Sequence, residues 1–239
     1  MRREAKKAPK RNGDRGRRLS QENAIMAEIG RIISSTLNID DVYERFDDKV
    51  RDLIPFDWIA INTINLKDDT VILAYLTGID ILNILQGAPL PLSNSMAGEI
   101  LKTRSSLFIQ MKDREEILRR FPRLSGYFEA GFKSMIAVPL ISKDDVIGVL
   151  HLRSMKIDYT ERDLSLAERV GHQIAGAIAN AQLFAEWKRA EEGLRENEKR
   201  IKALMDASPI GICWSDMQGN IEYNNHKFRE LFGYTVDDI

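Results

Sequence analysis

Cysteine is almost missing from this chain, and so is any long apolar run. Cys213 is the single cysteine among 239 residues, which excludes an internal disulfide and any cysteine-rich zinc site. No apolar stretch approaches the ~18 residues needed to cross a bilayer. The N-terminus lacks the apolar core of a secretory signal, so a cytoplasmic location is expected. Histidine is scarce too: His151, His172 and His226 share no metal-ligand spacing, and no metal is expected. Neither a phosphate-binding glycine loop nor a nucleophile–base pairing occurs, which leaves no catalytic residue to name.

An excess of one charge is also lacking overall, with a net charge of −1. The balance hides an asymmetry. Residues 1–19 carry +7 and the remainder −8. With almost no apolar side chain after Met1, this tail is expected to be disordered. A basic arm can touch nucleic acid or anionic lipid. Here it has no aromatic residue for base stacking and no amphipathic pattern, so a solvated leader is expected and nucleic acid is not.

What is present is helix and strand periodicity. Ile25, Ile29, Ile32, Ile33 and Leu37 mark one face of a helix starting near Ser20. A second helix follows, with Asp40 as N-cap, an apolar side of Val42, Phe46, Val50, Leu53 and Ile54, and Pro55 as its stop. Residues 57–66 and 70–76 read as paired strands across Lys67-Asp68-Asp69, with Val71, Leu73 and Tyr75 on one face. Residues 78–94 are largely loop. A short helix over 95–103, a strand over 105–110 and a basic helical turn over 114–120 follow. Two apolar runs, 134–141 and 146–152, flank Lys143-Asp144-Asp145 as a hairpin. Thr160 and Asp163 sit like a capping box before a long helix. Hairpins with helices at both ends give an α+β layer structure around an antiparallel sheet of about six strands.

From Leu183 a four-three spacing appears: Leu183, Trp187, Ala190, Leu194, Asn197, Ile201 and Leu204, with charged flanks. That is the seam of a coiled coil, and Asn197 on it favours two strands in register. The pattern is short and Gly193 weakens it; the alternative is a solvated single helix. Beyond Pro209, two short strands around Met217-Gln218-Gly219-Asn220 and a helix with Phe228, Leu231 and Phe232 are expected. Cys213, in the first of these strands, reads as a small buried hydrophobe.

The strings GFKSMIAVPL (131–140), IGVLHLRS (147–154) and YTERDLSLAERVGHQIAGAIANAQLF (159–184), in that order, closely resemble the closing hairpin and helix of GAF sensory domains. The front, EIGRIISSTLNIDDVYERFDDKVRDLIPFDWIAIN, resembles GAF domains of sensor histidine kinases. Residues 211–239, with Asn225, Phe228 and Gly233-Tyr234, resemble the opening of a PAS domain. The expected organisation is a basic tail (1–19), a GAF domain (20–186), a coiled-coil-like signalling helix (187–207) and an N-terminal PAS fragment (208–239). The resemblance implies the input region of a cytoplasmic signalling protein, a homodimer whose output domain lies outside this chain. A histidine kinase output is the first expectation. A diguanylate cyclase, or a nucleic-acid-binding regulator using the tail, is the alternative.

The resemblance implies a small-molecule pocket between sheet and irregular insert. With no cysteine in residues 1–212, a covalent bilin is not expected, nor is the redox chemistry of methionine sulfoxide reductases of this fold. The pattern of cyclic-nucleotide binders is broken at Tyr159 and Glu161-Arg162-Asp163. The aromatic residues Tyr75, Phe108, Phe121, Tyr127, Phe128 and Phe132 bracket the insert, and Tyr75, Phe108, Phe128 and Phe132 are the candidate lining. Ordinary core filling is the competing reading. His151, by alternation, sits with Val149 and Arg153 opposite Leu150 and Leu152. It is a candidate ligand contact, or a hydrogen-bonded structural residue.

Overall fold

The computed structural model describes residues 8–34, 39–81 and 85–233. Two compact units result, Met1–Gln182 and Leu183–Ile239.

The first unit opens with α1 (Ala8–Ser34) and α2 (Ile39–Leu53). α1 reaches well into the basic stretch that was expected to be disordered. Lys and Arg are good helix formers, and Pro9 is tolerated in a first turn. Residues 16–20 are exposed, so this portion is a solvated extension. Packing begins further on, where Met26, Ile29 and Ile32 are buried. Leu37, the last residue of the expected stripe, and Tyr234 of the PAS-like pattern lie outside the described residues. Asp40 falls inside the first turn of α2 instead of capping it. An acidic residue there still complements the helix dipole.

Six strands form one sheet, in the order β3-β2-β1-β6-β5-β4. They are β1 (Trp58–Asn65), β2 (Thr70–Gly78), β3 (Pro89–Pro91), β4 (Leu107–Gln110), β5 (Ser134–Ser142) and β6 (Asp145–Ser154). All neighbours are antiparallel. The β5–β6 turn places Lys143 and Asp144 at φ 48° and 68°, as a tight two-residue hairpin requires. Three short helices lie between strands: α3 (Met96–Thr103), α4 (Arg114–Arg120) and α5 (Ser125–Glu129), the last preceded by a 3-10 turn at Pro122–Leu124.

The sheet has two different faces. One packs on α1, α2 and α6 (Glu161–Asp206) through a continuous apolar cluster that includes Phe46, Ile59, Ile136, Leu150 and Ile174. The other packs on α3, the 3-10 turn and α5. β2 changes sides part-way. Ile61 pairs with Tyr75 but Asn62 pairs with Leu73, which leaves Ala74 as the extra residue of a β-bulge. Val71 and Leu73 therefore face the insert, while Tyr75 turns to the helices and stacks on Tyr43 with ring centroids 5.1 Å apart.

β6 leads into α6 through a tied loop. Ser154 Oγ accepts from the backbone N–H of Lys156 and Ile157, and Ser134 Oγ donates to the Ile157 carbonyl. The Tyr159 hydroxyl donates to the Pro55 carbonyl, and burial raises its pKa. Thr160 and Asp163 form the expected capping box, with Thr160 N–H donating to Asp163 Oδ2 at 2.8 Å. Gly171 lets α6 approach the sheet, since a Cβ there would meet Val138 at 3.0 Å.

The second unit holds the end of α6, a two-stranded sheet of β7 (Cys213–Ser215) and β8 (Ile221–Asn224), and α7 (His226–Phe232). Asn225, fully buried, organises it. Its side-chain oxygen accepts from the backbone N–H of Ile212 and of Phe228, and its amide donates to the carbonyls of Met205 and Ile210. Cys213 is exposed, contrary to the buried position expected of it, because nothing covers that face of the two-stranded sheet among the described residues. Leu231 and Phe232 are exposed as well.

Candidate functional site: a cavity with a polar floor

A cavity of about 830 Å³ lies between the insert face of the sheet and α3, the 3-10 turn and α5. That is the size of sites for small organic ligands, which run from roughly 300 to 1,000 Å³. Its walls are apolar: Val71 and Leu73 from β2, Met96 and Ala97 from α3, Phe121 and Leu124 from the insert. Ser95 fixes the start of α3 by accepting from Gly98 N–H at 3.0 Å and donating to the Leu92 carbonyl at 2.6 Å. Asp80, Arg123 and Glu129 supply charge to the lining.

The floor is polar, and the strand register explains why it is reached. His151 on β6 pairs with Ala60 on one side and Ala137 on the other. Two methyl-sized neighbours leave a recess above the imidazole. Arg153, two residues on, pairs with Trp58 and shares the same face. Its guanidinium carbon lies 3.9 Å from the ring centroids of both Trp58 and Tyr127, in the corner where those rings meet at 77°. Such aromatic contacts stabilise a cation electrostatically. Next to them Asn62 Nδ2 donates to His151 Nε2 at 3.2 Å.

Both His151 and Arg153 are only 4% exposed. Burial first, and the Arg153 charge second, hold the His151 pKa well below its ordinary value, so the ring is neutral. With Nε2 accepting from Asn62, the ring proton sits on Nδ1. Burial lowers the Arg153 pKa, which the Tyr127 hydroxyl partly opposes. Arginine nonetheless keeps its charge at neutral pH. Four polar atoms of this floor have no hydrogen-bond partner: His151 Nδ1, Arg153 Nε and Nη1, and Asn62 Oδ1. An unmade hydrogen bond on a buried group costs about 1–3 kcal/mol, so an empty floor would be a standing penalty on folding.

The candidate lining residues divide. His151 lines the cavity. Tyr75 and Phe108 do not: the bulge turns Tyr75 away, and Phe108 pairs with Ile136 on the helix face. Burial and nearby carboxylates push the Tyr75 pKa up to about 12. Phe132 stacks edge-on behind Tyr127 at 6.0 Å, and Phe128 lies under Arg114. Both belong to the layer behind the wall and outside the lining. Phe121 and Tyr127, members of the same aromatic bracket, do line it. Trp58, Asn62 and Arg153 also line it and are not among the candidates that the sequence offers. The parity that joined Arg153 to His151 could have found the arginine, and Trp58 is its cross-strand partner. Of the other histidines, His172 is exposed on α6 and His226 opens α7. No group of three metal-ligating side chains occurs among the described residues. No helix among them is long and apolar enough to cross a membrane.

Comparison with known proteins agrees with the fold. Residues 36–179 match the family model of the GAF domain, and residues 199–239 match that of the PAS domain. No curated protein gave a match. Among solved structures, the GAF domain of a two-component sensor histidine kinase from Bacillus halodurans is 23% identical with a TM-score of 0.55, over 63% of this chain and 99% of that one. The GAF domain from Acinetobacter phosphoenolpyruvate-protein phosphotransferase is 21% identical with a TM-score of 0.57, over 68% and 95%. A free methionine-R-sulfoxide reductase from Neisseria meningitidis, solved in complex with its substrate, is 13% identical with a TM-score of 0.54, over 68% and 90%. These likenesses carry the fold alone. Since the family model covers more than half of the sequence, the chain belongs to the GAF domain family, and with a PAS match behind it, it is a sensory signalling module.

Proposed function

We propose that this chain is the input region of a two-component sensor histidine kinase: the GAF cavity takes a small molecule non-covalently, and α6 carries the response as a parallel homodimer. The observation that carries the reading is α6. Six residues separate it from the cavity strand β6, and it runs for 46 residues. Its C-terminal part presents Leu183, Trp187, Leu194, Ile201 and Leu204, all exposed, on the four-three spacing. A long helix with little apolar burial of its own gains stability mainly from a partner. Ligand binding would act by differential affinity for two packings of that helix pair, so a bound molecule shifts their populations.

Sedimentation equilibrium tests the dimer. A dimer is expected at micromolar concentration, and Trp187→Ala with Leu194→Ala should weaken it by about tenfold or more, since large interface anchors cost over ~1 kcal/mol each when truncated. A monomer at high micromolar concentration overturns the homodimer reading. The coding sequence after Ile239 tests the output. A phosphoacceptor-histidine helix with an ATP-binding domain is expected; a nucleotide cyclase or a DNA-binding domain overturns the kinase.

A further inference from the structure

The geometry points to a ligand class for this cavity: a small organic acid whose carboxylate sits on Arg153 and His151 and whose apolar body lies against Val71, Leu73, Met96 and Phe121. The inference rests on the sensory reading above and narrows it.

The argument is one of complementarity. The unpartnered atoms of His151 and Arg153 are three donors: imidazole Nδ1–H and two guanidinium N–H groups. One acceptor, Asn62 Oδ1, stands with them. Arg153 forms no ion pair among the described residues, and with His151 neutral the floor carries one uncompensated positive charge. Water can satisfy donors, but it cannot neutralise a buried cation. A carboxylate does both, because it accepts through two oxygens and bears one negative charge. A primary amine would add a second positive charge in the same enclosure. A neutral amide supplies one acceptor and leaves the charge unpaired.

The rest of the cavity sets the body. Next to the floor Val71, Leu73, Met96, Phe121 and Leu124 form an apolar stretch of wall, where a polar body would lose hydration, while Asp80, Arg123 and Glu129 are the charged members of the lining. The neutral state of His151 limits the charge as well. One anionic group matches one arginine, which favours a monocarboxylate over a phosphate ester carrying close to two charges.

The test uses the full chain and matched probes: phenylacetate with phenylacetamide and phenethylamine, and octanoate with octanamide. Binding is read by calorimetry and by the shift in melting temperature. At least one carboxylate is expected to bind about tenfold or more tightly than its amide, as a charge-assisted pair does over a neutral one, and the amine not to bind. Arg153→Met, which keeps an unbranched apolar stem beside Trp58 and Tyr127, should abolish the preference for acid over amide. Should that variant not fold, the wild-type protein still decides: in carboxyl-labelled phenylacetate, the carbon-13 resonance of the bound acid should titrate at lower pH than that of the free acid. A bound probe that titrates at the same or higher pH overturns the inference. Equal binding of acid and amide, or binding of the amine, overturns it too while leaving a sensory cavity in place. Failure of every probe to bind also overturns the acid class. The dimer and output tests above are unaffected by any of these results.

Discussion

The helix face of the sheet and its insert face are built from the same strands, yet they differ in chemistry. On the helix side Phe46, Ile59, Ile61, Ile136 and Leu150 are fully buried against three helices; Tyr43, Tyr75 and Tyr159 bring hydroxyls to that cluster, and Asp47 on α2 and Gln173 on α6 each keep a buried oxygen without a hydrogen bond. On the insert side the same β1 and β6 strands present Trp58, Asn62, His151 and Arg153 to an open volume. The first face is where folding free energy is gained. The second holds buried donors without partners, a cost that a folding core avoids and a binding site uses. One strand register serves both purposes because consecutive side chains point to opposite faces.

The comparison can be broken most directly by truncation. Phe46→Ala is expected to lose about 3–5 kcal/mol, the cost of emptying a packed aromatic site. Leu73→Ala, whose side chain already borders open space, should lose less than about 2 kcal/mol. Urea unfolding of both variants decides it, and equal losses would mean that the insert face is a core like the other.

A second, smaller effect sharpens the contrast through pH. His151 is neutral when folded, and its folded pKa lies well below the ordinary value. The unfolded chain therefore takes up a proton first as pH falls. The contribution is fully present above the unfolded value of ~6.5 and declines below it by up to about 1.4 kcal/mol per pH unit until the folded pKa is reached. Arg153 beside the ring extends this loss to lower pH, and among the described residues Asn62 is the ring's hydrogen-bond partner. His151→Leu should remove this component, so that the stability of wild type and variant diverges between about pH 7.5 and pH 5.5 in the variant's favour. Parallel pH profiles would place the ring in contact with solvent.

The smallest effect is expected at the rim. Leu85 is 72% exposed yet lines the cavity. Leu85→Ser should change stability by less than about 0.5 kcal/mol while weakening binding of the acid probe. A melting temperature that drops with no change in binding would assign Leu85 to packing.

Much of this fold could be read in the sequence, because the long apolar runs of β1, β5 and β6 and the stripes of α1 and α2 have clear periods. The capping box at Thr160 and the hairpin at Lys143-Asp144 were equally plain. The site was less legible, for a definite reason. Alternation counts residues, and a bulge adds one: Ala74 moved Tyr75 from the cavity to the helices without any local signal such as glycine. Phe108 is a candidate by its ring, but its register opposite Ile136 puts it on the helix face. Arg153 carried the right parity from the start, but a charged residue in a strand reads as a surface residue until both neighbouring strands and an aromatic corner are seen to enclose it. In the N-terminal stretch, composition predicted disorder while helix propensity, which ignores whether a face is apolar, produced α1 from Ala8.

The loop between β6 and α6 joins the cavity strand to the long helix. Asp57 Oδ2 accepts from both Ser154 Oγ and Met155 N–H, so the loop is fastened at its first residue to the chain segment that begins β1. Its far end is held by Ser134 Oγ and the Pro55 carbonyl. A slack connector would let Arg153 shift by a fraction of an ångström and dissipate the movement in torsions of its own. This one is held by hydrogen bonds at both ends. If the proposed acid displaces the cavity floor, the displacement would either strain those bonds or move the first turn of α6, so the connector would act as a crank between the two.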